Sequence, residues 1–178
     1  TSVLDEFGTL PVIADMRRLM FGEDASSAGL ATKKDDHLLN ILILGIGGAG
    51  HDGSTLTDTI IFLSADMKEK RLGMVSVPRD LAYPVTEGRY EKINAVHVYE
   101  ERAHPGEGAI YTAEKMSDFF EVPIDHVIRI DFKGFVAFID ALGGVDVNVE
   151  RGFTDPQYPT YNDLYQTVSF KAGKQHMD

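Results

Sequence analysis

Apolar positions along this chain follow two rhythms. Leu39 to Ile46 (LNILILGI) is an unbroken apolar run, too short for most helices and closed by glycines, which predicts a buried strand. Thr59 to Ala65 (TIIFLSA) and Arg71 to Val77 (RLGMVSV) are further β-rich runs, and the charged segment Asp66 to Lys70 between them predicts a hairpin. After Pro78 the period lengthens. Ile93 to Arg102 reads as a helix that His104-Pro105-Gly106 breaks. Gly108 to Glu121 places Ile110, Ala113, Met116, Phe119 and Phe120 near helical spacing. Asp125 to Asp131 (DHVIRID) alternates as a strand does. Asp131 stands where an N-cap belongs, ahead of a helix over Phe132 to Leu142 that Gly143-Gly144 stop. Val145 to Val149 is another short strand. From Gly152 onward Tyr, Asp, Pro and Asn dominate, which predicts a loop with one strand near Thr167 to Phe170. There is no internal repeat.

Short turns pair the early strands, whereas the later strands alternate with helices. That mixture predicts an α/β domain with a mixed sheet and helices on both faces, not a purely parallel doubly wound sheet. Residues 1–36 stand apart. Leu10 to Phe21 holds one short apolar patch of helical character, and Gly22 to Asp36 is small and polar, as a linker is. The expected organisation is a stalk or linker over 1–36 and a domain over 37–178.

Composition narrows the function classes. The 178 residues are 43% hydrophobic and 25% charged, which suits one folded domain with a short appendage. A formal net charge of −11 speaks against a duplex nucleic-acid partner, since Lys and Arg supply most of that affinity. Any anionic ligand must meet a local basic cluster instead. The absence of cysteine excludes disulfides, thiolate metal sites and a cysteine nucleophile, and leaves the compartment open. No run approaches the roughly 20 apolar residues of a membrane span, and no signal peptide is visible. With Thr1 first and Asp178 last, the expectation is a piece of a longer protein, so the lack of a span here says little about the whole.

Gly45 to Gly50 (GIGGAG) matches a dinucleotide-binding fingerprint directly after a strand. That fingerprint needs a helix to open within the glycines, because the free amides of its first turn hold the pyrophosphate. Here the glycines run into His51-Asp52-Gly53-Ser54 and then the β-like TIIFLSA, so the better reading is a glycine loop joining two strands. No Gly-Lys-Ser/Thr follows, so the Walker pattern fails. No Gly-x-Ser-x-Gly elbow supports a serine hydrolase. None of the six histidines pairs at metal-ligand spacing, and His97 and His126 read as structural or surface residues.

Five segments in order carry a resemblance: NILILG (Asn40 to Gly45), TDTIIFLS (Thr57 to Ser64), VSVPRD (Val75 to Asp80), KIN (Lys92 to Asn94) and VPIDHVIRIDFKGFVAFIDALGGVDVNV (Val122 to Val149). Each is weak alone. Together, at this spacing, they make residues 38–178 similar to the LytR-CpsA-Psr family. The resemblance implies a three-layer α-β-α sandwich with a central mixed sheet enclosing an apolar lipid pocket. It implies a phosphotransferase that moves a glycopolymer from a polyprenyl-pyrophosphate carrier to peptidoglycan or another cell-wall acceptor, with pyrophosphatase activity where no acceptor is present. It also implies an extracytoplasmic protein, anchored by an N-terminal transmembrane helix absent from this chain.

On that resemblance Arg79 is the pyrophosphate clamp, because arginine offers paired donors to phosphate oxygens. Asp80 orients Arg79 or supports the metal, and Lys92 adds positive charge at the headgroup. Asp58 is the expected ligand of a magnesium ion that neutralises the leaving group. The lipid pocket would be lined by Phe119, Phe120, Val127, Phe132, Phe135, Val136, Phe138 and Ile139. Two positions depart from the family pattern. Gly47 stands where many members carry Asp, leaving Asp52 as the nearby substitute, and Leu56 stands where an Arg is common. The family's third block, with paired arginines and a further Asp, would follow Gly173 to Asp178, so some 60 residues of the domain are expected beyond this chain, roughly from typical domain size. Those departures favour a second reading, a non-catalytic module that binds polyprenyl phosphate or glycan. A regulator of transcription is disfavoured by the acidic charge and the lack of a helix-turn-helix.

Overall fold

The structure is a computed structural model that describes residues 37–51, 53–160 and 164–177. The apolar patch and linker expected over 1–36 lie outside the described residues. The remainder falls into two compact units that meet in sequence at Phe132 and Lys133, where the sequence predicts one domain.

The first unit is built on a four-stranded sheet in the order β3-β2-β1-β6. Strand β1 (Leu38–Ile46) pairs antiparallel with β2 (Thr57–Asp66), which pairs antiparallel with β3 (Arg71–Val77). On its other side β1 pairs parallel with β6 (His126–Asp131). Strands β1, β3 and β6 therefore point the same way, and β2 begins where they end. The glycine loop joins β1 to β2 with no helix, so the strand-loop-strand expectation holds. Its glycines have local reasons. A Cβ on Gly45 would come within 2.9 Å of the Thr59 Cβ across the strand pair, and Gly48 has φ +78 and lies against Asp131.

Alternation along the strands sends Leu42, Leu44, Ile60, Phe62 and Val77 to one face. That face packs with helix α1 (Val96–Ala103) and helix α2 (Gly108–Phe120) through Val96, Ala113, Met116, Phe119 and Phe120. Phe62, Phe119 and Phe120 meet edge to face, with centroids 5.1 and 4.8 Å apart. Burying each such side chain contributes about 1.5–3 kcal/mol. Helix α2 ends as Glu121 turns left-handed (φ 51) and Val122 N–H bonds back to the Ser117 carbonyl.

Two elements differ from the expectation. The helix predicted from Ile93 opens as a 3-10 turn over Ile93–Ala95 and becomes α-helical only at Val96. Between Pro78 and that turn lies an unforeseen hairpin, β4 (Ala82–Thr86) with β5 (Arg89–Lys92). Pro84 inside β4 hides it from pattern reading, since proline is tolerated only at strand edges and bulges.

In the second unit, helix α3 (Phe132–Ala141) begins directly after Asp131, and Gly143 and Gly144 follow it with φ +80 and +84. Strand β7 (Val145–Val149) pairs antiparallel with β10 (Gly173–Met177). Strands β8 (Phe153–Pro159) and β9 (Tyr165–Phe170) form a second antiparallel pair. The sequence reading assigned only one strand after Gly152. No described helix is long and apolar enough to cross a membrane.

Candidate functional site

The edge at which β1, β3 and β6 end, and β2 begins, gathers the charged side chains of the first unit's motifs. Strand ends of this kind expose backbone and side chains that the sheet interior holds rigid, which is why ligands of α/β folds settle there. Asp58 is the second residue of β2. Arg79 and Asp80 follow the last residue of β3 after the chain turns at Pro78, and Lys92 closes β5.

These four residues form an alternating chain of charge. Arg79 Nη1 donates to Asp58 Oδ1 at 2.6 Å, and Arg79 Nε lies 3.9 Å from Asp80 Oδ2. Lys92 Nζ pairs with Asp80 Oδ1. All four side chains are about half exposed. The Lys92 ammonium, through its hydrogen bond first and its charge second, holds the Asp80 carboxyl below the usual carboxylate range, with Arg79 adding to the effect. A guanidinium has five N–H donors. With Nη1 on Asp58 and Nε turned toward Asp80, donors remain for a phosphate oxygen. Exposed pairs of this kind contribute little to stability, so their value lies in presenting two cations in fixed positions.

Beside this array lies a cleft of about 230 Å³, lined by Tyr83, Glu91, Lys92, Tyr99, Glu100 and Lys115 among others. Lys92 is thus common to both. Tyr99 donates its hydroxyl to Glu91, which also takes Arg89 at 2.6 Å.

The metal expectation can be set against the donor set. Among the described residues no group of three or more His, Asp or Glu side chains is gathered to cage an ion. Magnesium, however, is commonly held by one or two carboxylates together with substrate phosphates. Asp58, half exposed at the strand entry and beside the arginine, fits that mode and no self-sufficient one. Asp52 lies outside the described residues. Gly47 and Leu56 are both half-buried in the loop ahead of Asp58.

The residues expected to line a lipid pocket divide. Phe119 and Phe120 are packed core side chains, each 1% exposed, because they fill the space between Phe62 and Tyr83. Val127 lines a cleft of about 520 Å³ between α2 and the start of β6, with Ile110, Ala113 and Ile124, but also with Glu114, Asp118 and Asp125. Phe132, Phe135, Val136 and Phe138 are exposed along α3, and Ile139 is half-buried.

The buried polar residues around the array carry no expectation from sequence beyond His97 as a structural or surface residue. Thr57, Asn94 and His97 are fully enclosed. The signals were that Thr57 opens the TDTIIFLS segment and Asn94 closes the KIN segment that holds Lys92.

With fold and site in view, the mixed sheet and the charged strand ends define a known class. The chain belongs to the LytR_cpsA_psr family, whose model matches residues 15–178. It is 32% identical over 143 residues to the polyisoprenyl-teichoic acid–peptidoglycan teichoic acid transferase TagV of Bacillus subtilis, a match covering 78% of this chain and 34% of TagV. It is 32% identical over 120 residues to the corresponding transferase TagU of Halalkalibacterium halodurans, covering 67% of this chain and 37% of TagU. The crystal structure of B. subtilis TagV superposes with a TM-score of 0.57 at 30% identity, over 83% of this chain and 53% of that one. The chain thus spans about a third of the length of these curated relatives.

Proposed function

We propose that this chain is the headgroup-binding part of a phosphotransferase that moves a glycopolymer from a polyprenyl-pyrophosphate carrier to peptidoglycan. The observation that carries the reading is the Asp58–Arg79–Asp80–Lys92 array at the strand ends, in a chain related to transferases named for polyisoprenyl-linked teichoic acid.

In the reaction, an acceptor hydroxyl oxygen forms a bond to the glycan-bearing phosphorus and gives up its proton. The bond from that phosphorus to the bridging oxygen breaks, and polyprenyl phosphate leaves with the electron pair. Negative charge grows on the bridging oxygen as the bond lengthens. Arg79 presents its free N–H groups to non-bridging oxygens, and Lys92 adds a point charge from β5. Asp80, held between Arg79 and Lys92, keeps the two cations apart and aimed. Asp58 would hold magnesium together with the phosphates, and the ion would supply further charge neutralisation at the leaving group. The expected setting is the extracytoplasmic face of the cell membrane, with the protein anchored by an N-terminal helix outside this chain.

A second reading, a module that binds lipid phosphate or glycan without turnover, is favoured by Gly47 and Leu56, which carry no charge where the family pattern has Asp and Arg. Binding and turnover of a short polyprenyl pyrophosphate by the full-length protein, with and without magnesium, separate the two. The transferase reading requires magnesium-dependent release of polyprenyl phosphate that Arg79→Ala abolishes while lipid binding persists. Tight binding with no release by the unaltered protein supports the binding module instead.

A further inference from the structure

The segment after Lys92 is bonded to both strand ends that present the array. Asn94 N–H donates to the Arg79 carbonyl at 3.3 Å, and Ile93 N–H to the Leu81 carbonyl at 2.8 Å. The Thr57 hydroxyl donates to the Asn94 carbonyl at 3.3 Å. One turn further, on α1, His97 Nδ1 lies 2.8 Å from the Thr55 carbonyl oxygen. The 3-10 turn and the first turn of α1 thus span from the entry of β2 to the exit of β3.

His97 is the unusual member. A carbonyl oxygen only accepts, so Nδ1 must carry the proton. Nε2 is then left as a lone pair, buried and with no hydrogen-bond partner among the described residues. An unmet buried acceptor costs stability that an apolar side chain of similar size would not. Packing alone therefore does not account for histidine here. What the ring supplies is the donor to Thr55, three residues ahead of Asp58.

That donor matters because of where Thr55 lies. The backbone bonds of the loop before it are local: Gly48 N–H to the Ser54 carbonyl, His51 N–H to the Gly48 carbonyl, and Leu56 N–H to the Gly53 carbonyl. The bond from His97 reaches in from the buried first turn of α1 and holds the last loop residues against the core. We propose that His97 is a positioning residue, which fixes Thr55 and the entry of β2 so that the Asp58 carboxylate meets the Arg79 guanidinium. The proposal rests on the transferase reading only in assigning work to that pair. Burial disfavours the charged ring and lowers its pKa below 6.5, and Arg129 of β6 adds to this, while the Thr55 carbonyl and Glu101 of α1 pull the other way.

The test compares the full-length protein with His97→Asn, whose amide can donate from the position of Nδ1, and His97→Leu, which fills the space without a donor. Amide exchange by mass spectrometry and turnover of polyprenyl pyrophosphate are both read. We expect His97→Leu to speed exchange over residues 55–58 by about tenfold or more, with Leu42 and Leu44 still protected. Its kcat should fall on the order of 10-fold to 100-fold, as misplaced catalytic groups do, with KM little changed. His97→Asn should restore both to within about threefold of the unaltered protein, the scale of a retained hydrogen bond. Unchanged exchange at 55–58 in His97→Leu, exchange raised everywhere alike, or no rescue by Asn would each overturn the proposal. Should neither variant fold, nitrogen-15 spectra of the unaltered protein still decide: the Nδ1–H tautomer is required, and the Nε2–H tautomer contradicts it. If the unaltered protein shows no turnover, the transferase reading fails, and exchange alone then judges His97.

Discussion

Arg79 sits between two carboxylates, with a 2.6 Å bond to Asp58 on one side and Asp80 on the other. Half exposed, it contributes little to folding, so its loss should be felt in chemistry. We expect Arg79→Ala to lower turnover by about 10²–10³-fold, the cost of removing one donor to developing charge, while a urea titration moves by less than about 1 kcal/mol. Arg79→Lys should recover little, because an ammonium cannot reach two phosphate oxygens and Asp58 in one plane. His97 makes the opposite forecast. Its neutral form is the one the fold tolerates, so stability is full above the ordinary pKa of 6.5 and declines as pH falls from there toward the lowered folded value. Urea unfolding followed between about pH 5 and 7.5, across the ordinary histidine range, should show this decline, and His97→Asn should flatten it. At this scale sequence was informative where motif and chemistry coincide: Asp58, Arg79, Asp80 and Lys92 all fall in short motifs and all meet. His97 escaped because its partner lies 42 residues away, and nothing local distinguishes a buried donor from a surface ring.

Elements show the same division. Strands β1, β2 and β3, helix α2 and strand β6 follow directly from apolar runs and periodicity. Strand β7 was also legible, whereas β4–β5 and β8 are interrupted by prolines, and β10 shows few buried positions to mark it. Pro156 coincides with the register shift between Asp155 and Tyr158. Two element-scale outcomes can be measured. Lys70 closes the β2–β3 turn in the left-handed region at φ 53, where a Cβ costs on the order of 1 kcal/mol. Lys70→Gly should therefore raise the urea midpoint by the equivalent of about 1 kcal/mol. Met116 of α2 is wholly buried among Phe and Leu side chains. Met116→Ala should cost about 2–5 kcal/mol by the same assay, the range for emptying a core site.

For the whole molecule the sequence conveyed class and family, and the division at Phe132 and Lys133 became visible only in the structure. The first four motifs, and the start of the fifth, stand at strand ends or in the core of the four-stranded sheet, which fixes their spacing. The chain carries a net charge of −11, whereas the array's own charges cancel. On the transferase reading, an anionic glycopolymer would meet net repulsion from this chain, which salt screens within about 10 Å at 0.1 M. We expect association with a polyanionic donor to quicken as salt rises toward about 0.15 M, followed by stopped-flow fluorescence. The proposed activity is transfer itself. Its most direct test supplies the full-length protein with a polyprenyl-pyrophosphate donor labelled in the glycan, together with peptidoglycan and magnesium, and asks where the label goes. A transferase joins label to digested peptidoglycan fragments through phosphate, and Arg79→Ala loses that label. Label that stays on the lipid, with the donor bound and the protein folded, would contradict it.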